Sequence, residues 1–337
     1  MLVSILIPAY NAAPWLAQAL DCALEQTWLA KEIIVVDDGS NDKTLEVARA
    51  YESRGVKVFS QLNSGASTAR NYAFRESKGD YIQYLDADDL MAPDKIEKQM
   101  VRLNEEGYPK DILVSGRFAY FSEYPGDLES EHIPLYKDFT DPLEWVEIAW
   151  NQGYFIHVAG WLTPRNLIES AGSWNESLSL NDDGEFFGRL VLASRGILYC
   201  NNARTYYRKV TGSLSKSVSD KALQSLLQTA FLYEKHLLCK KDTPQTRLTC
   251  ANVYMRILHF YYPNYYRQLL PAETAAKRLG GGSLRLMGNK RVQFVEQLIG
   301  WKATRRLILF LQEKKLNPRA IVRKIGIQLP DNRNKYT

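Results

Sequence analysis

The chain has 337 residues, which is enough for one large domain or two ordinary ones. Its 45% apolar, 24% charged and 12% aromatic residues can bury a substantial core, which excludes disorder, collagen and a small disulfide scaffold. Residues 201–337 carry 26 Lys and Arg against 7 Asp and Glu, whereas residues 1–200 carry 17 against 31. The acidic part favours a metal-dependent or hydroxyl-binding site, and the basic part favours phosphate, nucleic acid or an anionic membrane as partner.

The four cysteines lie far apart, with no CxxC pair and no histidine at zinc spacing: Cys22, Cys200, Cys239 and Cys250. They predict reduced thiols and therefore a cytoplasmic location. The apolar N-terminal run has no basic residues before it and stops at Pro8, so it predicts a core strand and not a signal peptide. No apolar run approaches the roughly 20 residues that a membrane span requires.

Strand and helix patterns alternate in the first part of the chain. Apolar or β-branched runs predict strands over residues 3–8, 32–36, 56–60 and 81–85. Between the first two runs, apolar residues recur at helical spacing and predict an amphipathic helix: Trp15, Leu16, Ala19, Leu20, Ala23 and Leu24. Strands separated by helices predict an α/β fold with a mostly parallel sheet flanked by helices.

The pattern becomes helical towards the end of the chain. Pro93 lies in the first turn of a predicted helix, residues 111–121 predict a strand, and residues 122–142 predict a long loop. Further helices are predicted over 142–150, 182–194, 218–240, 246–270 and 289–313, with a glycine linker at 280–282. We therefore predict an α/β domain over 1–217 and a basic, mainly helical region over 218–337.

The first acidic cluster is Asp37 and Asp38, which close an apolar strand just before Gly39. Ligands of open α/β sheets bind outside the carboxyl ends of the strands, where such carboxylates can accept hydrogen bonds from a base or a ribose. The alternative is that Ser40 or Asp42 caps the next helix and the two aspartates are solvated turn residues.

The second cluster is Asp86, Ala87 and Asp88, again at the end of a predicted strand. Magnesium takes oxygen ligands, usually one or two carboxylates together with substrate phosphates, so this motif is able to link the protein to a metal diphosphate. A solvated turn is the alternative.

The third cluster is Asp182, Asp183 and Glu185 at the start of a predicted helix. A carboxylate held in a cleft can act as general base on an attacking hydroxyl. Acidic residues in a first helical turn are also favoured by the helix dipole alone, so that alternative stays open.

In this order, four segments resemble the family 2 glycosyltransferases, which have the Rossmann-like GT-A fold: SILIPAYNAAPWL, EIIVVDDGSNDKT, NSGASTARNYAFRESKGDYIQYLDADDL and GSWNESLSLNDDGEFFGRL. The resemblance covers roughly the first 215 residues. It implies a GT-A sheet with flanking helices, followed by the helical C-terminal region.

The resemblance also implies roles for individual residues. Residues that contact the nucleotide or line the donor site would be Pro8, Ala9, Tyr10, Asp38, Gly39, Ser40, Gly65 and Arg70. Asp38 would face the base, Asp86 would lie toward the ribose and the metal, and Asp88 would bind the metal directly. Asp183 would be the catalytic base.

An inverting glycosyltransferase (hexosyl- or N-acetylhexosaminyl-transferase) is the activity that the resemblance implies. Its donor would be a nucleotide-diphosphate sugar, with UDP as the expected nucleotide, and its cofactor Mn²⁺ or Mg²⁺. The acceptor would be a glycan or a lipid-linked acceptor in the synthesis of cell-surface polysaccharide or lipopolysaccharide.

The sequence departs from the family pattern at two places. Asp182 stands where Glu is usual, which keeps the charge, and Val210 stands where the family has a histidine. The role of that histidine in closing over the diphosphate would then fall to nearby polar residues, unless these form only a basic surface loop: Arg208, Lys209, Ser213 and Ser215.

Aromatic residues between the second and third clusters either stack on an acceptor sugar or fill the core: Trp145, Trp150, Tyr154, Trp161 and Trp174. The four histidines are too scattered for a metal cluster, and His157 in an apolar run is predicted to be a core residue.

The basic C-terminal region mixes Lys and Arg with Leu, Ile and Phe, a composition that suits either an anionic membrane surface or a solvated helical appendage. Membrane contact would place the protein on the inner face of the plasma membrane. No nucleic-acid partner is expected, since no RNA- or DNA-reading module accompanies the charge.

Two other functions stay open at this point. A non-catalytic subunit that binds sugar nucleotide or glycan in a membrane-associated complex would need the same site without turnover. A nucleotidyltransferase is disfavoured, because SILIPAYN has no Lys or Arg to hold a triphosphate.

Overall fold

The computed structural model describes residues 1–123, 132–209 and 219–314. The chain divides into two compact units, Met1–Thr246 and Arg247–Thr337. The predicted boundary at 217/218 falls at the edge of a segment outside the described residues, so it stays a prediction. Val210, Ser213 and Ser215 also lie outside the described residues.

The strands are β1 (Val3–Ala9), β2 (Lys31–Asp37), β3 (Lys57–Ser60), β4 (Tyr81–Tyr84), β5 (Leu90–Met91), β6 (Ile112–Phe121), β7 (Thr163–Pro164) and β8 (Gly196–Arg208). The helices are α1 (Leu16–Leu24), α2 (Thr44–Ala50), α3 (Ala66–Glu76), α4 (Lys95–Glu105), α5 (Pro142–Gln152), α6 (Arg165–Ala171), α7 (Asp182–Ala193), α8 (Asp220–Lys240), α9 (Pro244–Tyr261), α10 (Tyr266–Arg278) and α11 (Lys290–Glu313).

The central sheet has the strand order β3-β2-β1-β4-β7. β1 pairs in parallel with β2 and β4, β2 pairs in parallel with β3, and only the short β7 is antiparallel to its neighbour. Every residue of β1 is buried, as expected for a parallel strand that is covered on both faces. The predicted α/β fold with a mostly parallel sheet is confirmed.

The two faces of this sheet are covered differently. α1 buries an apolar stripe in the main hydrophobic core, as the sequence predicts. α3 packs against β1 and β2 but buries polar residues, among them Ser67, Arg70 and Asn71. Buried polar groups need partners, so α3 marks the side of the sheet on which a polar site is built.

A second sheet has the order β5-β8-β6. β6 is predicted from the sequence, whereas β8 is not. β8 pairs in parallel with β6 and in antiparallel register with β5, so its end at Arg208 lies beside the strand-end acids that follow β4.

Two predicted helix bounds are wrong. Pro93 lies before α4 and not within its first turn, since α4 begins at Lys95. The single helix predicted over 246–270 is two helices, α9 and α10. Pro263 lies between them, where proline lacks the N–H that a continuing helix requires.

Within the part of the chain that the structure describes, no helix is both long enough and apolar enough to cross a bilayer.

Candidate active site

The turns that follow β1 and β2 are joined to each other at the carboxyl edge of the central sheet. The backbone N–H of Asn11 donates to Ser40 Oγ at 2.9 Å, and the N–H of Asn41 donates to Asn11 Oδ1 at 2.9 Å. Asp38 N–H donates to the carbonyl of Ala9 at 2.8 Å. The predicted nucleotide-contacting residues of both turns therefore lie side by side, with Tyr10 48% exposed.

The Asp38 carboxylate is buried and holds the loop that leads into α3. Its Oδ1 accepts from Gln61 Nε2 at 2.7 Å and from the Ser64 N–H at 2.9 Å, and its Oδ2 accepts from the Gly65 N–H at 2.8 Å. These bonds bring Gly65 to the same edge as Asp38. The predicted contact of Asp38 with a base stays a prediction.

Position 39 requires glycine, because the loop that contains Asn63 passes close to its backbone. Its φ is +70°, and a Cβ there would lie 2.7 Å from the backbone nitrogen of Asn63. The neighbouring Asp37 is also buried. Its Oδ2 accepts from the Ser40 N–H at 3.3 Å, whereas no described residue donates to its Oδ1.

Arg70, on the polar face of α3, connects two acidic clusters that are remote in the sequence. Its guanidinium donates to Asp86 Oδ1 at 2.8 Å and to Asp182 Oδ2 at 2.9 Å. Arg70 is only 6% exposed, and burial of this cation is offset by the two carboxylates, which raise its pKa. Burial alone would raise the pKa of Asp86, but the charge of Arg70 outweighs it and lowers that pKa. We call this arrangement the Arg70 bridge.

Further contacts from α3 fix the same junction. Asn71 Nδ2 donates to the carbonyl of Trp174 at 2.9 Å, and the Trp174 N–H donates to Asn71 Oδ1 at 2.9 Å. The guanidinium of Arg70 lies over the Trp174 ring, 4.3 Å from its centroid, in a cation–π contact. Ser67 Oγ donates to Asp182 Oδ2 at 3.0 Å. α3 therefore positions the first turn of α7 against the end of β4.

Asp183 lies in that first turn of α7. Burial, followed by the charge of Asp182, raises the pKa of Asp183 to about 6, and the charge of Asp86 adds to this. The Gly184 N–H donates to Asp183 Oδ1 at 2.8 Å. Since a general base works best when its pKa lies near the operating pH, this environment suits a base.

Asp88 is a further carboxylate with a raised pKa. Burial, then the charges of Asp89 and Asp86, raise the pKa of Asp88 to about 7. In the described part of the chain, no side chain donates a hydrogen bond to its carboxylate. Asp88 therefore carries a charge that is disfavoured until a cation approaches.

Asp89 is buried behind Asp88 and is held by two partners. His157 Nε2 lies 2.8 Å from Asp89 Oδ2, and the Arg208 N–H donates to Asp89 Oδ1 at 2.8 Å. Burial disfavours the imidazolium, but the charge of Asp89 outweighs it and raises the pKa of His157. The Arg208 guanidinium donates to the carbonyl of Asp88 at 2.6 Å and to Gln18 at 2.6 Å, so it holds this turn.

The residues present fit a divalent cation. Asp86, Asp89 and His157 each offer one ligand atom, and these atoms lie within 4.8 Å of one another. His157 Nδ1 is buried without a hydrogen-bond partner among the described residues. Carboxylates suit Mg²⁺ and Mn²⁺, and Asp88 lies between Asp86 and Asp89 in the chain. The sequence predicts Asp86 and Asp88 as ligands, and this assignment stays a prediction. His157 is 4% exposed, which confirms its predicted place in the core. Its contact with Asp89 was not predicted, because no local pattern joins residues 68 positions apart.

The aromatic residues are largely core residues. Trp145, Trp150, Trp161 and Trp174 are each at most 6% exposed. Trp174 stacks on Phe186 with ring centroids 4.0 Å apart, which places the α7 turn that carries Asp183 on a rigid support. Of the two uses that the sequence leaves open for these tryptophans, the burial supports core packing.

The architecture resembles that of TarS from S. aureus. The crystal structure of TarS 1–349 in complex with UDP-GlcNAc matches with a TM-score of 0.68 and 16% identity, covering 95% of this chain and 93% of the other. The fold is therefore of the GT-A type, with a parallel α/β sheet and a helical C-terminal region.

Sequence relatives specify the family. The model described as Glycosyl transferase family 2 matches residues 4–163. An uncharacterized glycosyltransferase of Haemophilus influenzae is 30% identical over 237 residues, which cover 69% of this chain and 88% of that protein. This chain belongs to glycosyltransferase family 2.

Two longer relatives extend beyond the matched region. An uncharacterized glycosyltransferase of Rickettsia typhi is 45% identical over 196 residues, covering 57% of this chain and 59% of that protein. One of Rickettsia felis is 30% identical over 257 residues, covering 74% of this chain but 41% of that protein. This chain thus spans only about half the length of these two relatives.

Proposed function

We propose that the chain is an inverting glycosyltransferase that transfers a hexosyl or N-acetylhexosaminyl group from a UDP-sugar to a hydroxyl group. The observation that carries the proposal is the Arg70 bridge, because it joins Asp86 at the end of β4 to Asp182 beside Asp183. Family membership and the UDP-GlcNAc complex of the structurally similar TarS support the donor class.

In this mechanism Asp183 takes the proton of the acceptor hydroxyl as its oxygen attacks the anomeric carbon. A carbon–oxygen bond to the acceptor forms on one face of the sugar. On the opposite face, the bond from the anomeric carbon to the phosphate oxygen breaks, and its electron pair leaves with the nucleoside diphosphate. Attack from the opposite face inverts the anomeric configuration.

Asp86 and Asp88 would hold a divalent cation, Mn²⁺ or Mg²⁺, whose charge would stabilise the leaving diphosphate. Asp86 would also lie toward the ribose, while Asp38, Gly39 and Ser40 would line the base pocket. Pro8, Ala9, Tyr10, Gly65 and Arg70 would complete the donor site. The joined turns at the carboxyl edge support this assignment.

The acceptor that we propose is a glycan or lipid-linked glycan of the cell surface, reached from the cytoplasmic face of the plasma membrane. The test of the whole proposal is a panel of UDP-sugars and glycan acceptors assayed with Mn²⁺. Formation of a transferred product supports the enzyme, whereas donor binding without any product supports the non-catalytic binding subunit.

The transfer rate should fall as the pH drops below about 6. The ionised form of Asp183 is the base, and below its pKa of about 6 the protonated form predominates, so kcat/KM rises with pH and then levels off. The measurement is kcat/KM against pH at saturating Mn²⁺, where bound cation keeps Asp88 ionised. A profile that stays flat down to pH 4 would remove Asp183 from the role of base.

Addition of Mn²⁺ should raise the melting temperature of the protein, and Asp88→Asn should abolish most of that increase. A cation that binds only the folded state stabilises it by about 2.7 kcal/mol at a concentration one hundred times its dissociation constant. Asp111→Asn is the matched control, since this exposed carboxylate pairs with the exposed Arg195 at 3.2 Å. If His157→Gln loses the shift and Asp88→Asn keeps it, the cation is bound by Asp86, Asp89 and His157 instead.

A further inference from the structure

The C-terminal unit carries an excess of positive charge that its own acidic residues do not balance. Residues 247–314 contain 12 Lys and Arg against 3 Asp and Glu. Glu273 is already paired with Lys277 at 2.9 Å and with Lys302 at 2.7 Å. Glu296 is buried and accepts a hydrogen bond from the Leu286 N–H at 3.1 Å. The surface of this unit is therefore strongly basic.

α11 exposes large apolar side chains within this basic surface. Phe294 is 43% exposed and Leu298 63%, while Phe310 is 52% exposed. Leu307, one turn before Phe310, is 41% exposed. Leaving several such groups in water is unfavourable, and clustered exposure of this kind is typical of an interaction surface.

Exposed apolar and basic residues of α11 share the same helical stripes. Gly300, with a φ of 75°, divides the helix into two halves. In the first half Lys290, Phe294 and Leu298 follow each other at intervals of four residues, and all three are exposed. In the second half Arg306, Phe310 and Lys314 repeat this spacing and are exposed as well. Residues four apart lie on one side of a helix, so each half presents cations and apolar groups together.

We propose that these two stripes of α11 bind a bilayer that contains anionic phospholipid. Headgroup phosphates pair with Lys290, Arg306 and Lys314, and the acyl boundary takes up Phe294, Leu298 and Phe310. A nucleic acid would use the cations but would leave the leucine and phenylalanine side chains in water. This inference rests on the proposed function in one respect: membrane binding would bring the enzyme to a lipid-linked acceptor.

Vesicle flotation of the 337-residue chain tests the proposal without donor or acceptor. The wild type should float with vesicles of phosphatidylcholine and phosphatidylglycerol and remain behind with phosphatidylcholine alone. The double variant Leu298→Glu/Phe310→Glu should bind the anionic vesicles about tenfold or more weakly, since burial of two large apolar side chains is lost. Because the assay contains no sugar nucleotide, its result is independent of whether the chain transfers sugar.

Leu29→Glu/Val101→Glu is the matched control, because Leu29 is 91% and Val101 is 53% exposed in the other unit. This control should bind vesicles as the wild type does. Thermal unfolding of both double variants should match the wild type; a large loss of stability in Leu298→Glu/Phe310→Glu would mean that another part of the chain or a second copy covers the surface. Three results would each overturn the proposal: that loss of stability, equal binding to both kinds of vesicle, or binding to a DNA duplex in place of vesicles.

Discussion

Replacing Asp183 by Asn should lower kcat for sugar transfer by about 10²–10⁴-fold, the usual contribution of a general base. The amide keeps the size of the side chain and can still accept the hydrogen bond from the Gly184 N–H, but it has no basic oxygen. The KM for the donor should change little, because the proposed donor contacts lie on other residues. The measurement is steady-state transfer at saturating Mn²⁺ and acceptor.

The same substitution should not destabilise the protein at pH 8. A carboxyl group whose pKa is higher in the folded than in the unfolded state destabilises the folded state when it is ionised. Asp183 is such a group, because its pKa in the folded state is raised to about 6. At pH 8 the neutral amide would remove that unfavourable charge, so the free energy of unfolding should stay equal or increase. If Asp183→Asn is inactive but as stable as the wild type, and Asp111→Asn is fully active, unfolding is excluded as the cause of the lost activity. Activity within about tenfold of the wild type would remove Asp183 from the mechanism.

The features that could be predicted from the sequence are local in the chain. β1, β2, β3 and β4 follow from apolar runs, and the acids at their ends follow from the rule that parallel strands present ligands at one edge. Gly39 is a local feature of the same kind, because a turn with a φ of +70° favours glycine.

The partners of those acids could not be predicted in the same way. Arg70 bonds to Asp182 across 112 positions, and His157 meets Asp89 across 68. Only the packing of α3 and of the segment before β7 against the sheet brings these groups together. A buried polar helix face is the one sequence signal that existed, and Ser67, Arg70 and Asn71 form it at intervals of three and four residues on α3.

The sequence pattern does not reveal β8, because that pattern is mixed. The first residues of β8 are buried and its middle is exposed, which reflects a strand that leaves the core before it returns at Arg208. The break between α9 and α10 has a signal in the sequence, because Pro263 cannot continue a helix, but the prediction of one helix over 246–270 followed the apolar spacing alone. Side-chain periodicity therefore identifies neither β8 nor this break.

The Arg70 guanidinium lies among several acidic side chains, whose negative charges need a cation nearby. Five aspartates lie at or beside the edge of the sheet: Asp86, Asp88, Asp89, Asp182 and Asp183. Arg70, His157 and Arg208 offset part of this charge, whereas burial, followed by the charges of neighbouring aspartates, raises the pKa of Asp88 and of Asp183. The divalent cation that we propose would stabilise the ionised form of these carboxyl groups.

Replacing Arg70 by Met should therefore lower the free energy of unfolding by about 3–5 kcal/mol, because it leaves two partly buried carboxylates without their shared cation. Asp86 is 27% and Asp182 19% exposed at the side chain, so water relieves only part of this cost. Arg70→Lys should recover a minority of the loss, since an ammonium cannot donate to both carboxylates with the planar geometry of a guanidinium. Urea denaturation at pH 7.5 measures the difference.

Arg54→Met is the matched control. Arg54 pairs with Asp21 at 2.6 Å, but both side chains are nearly half exposed, so its loss should cost much less than the loss of Arg70. Asp182→Asn in the Arg70→Met background should restore part of the stability by removing one of the two uncompensated acids, which a double-mutant cycle reports as coupling. If Arg70→Met costs no more than Arg54→Met, the Arg70 bridge does not hold α7 against β4, and the convergence of Asp86 with Asp183 has another cause.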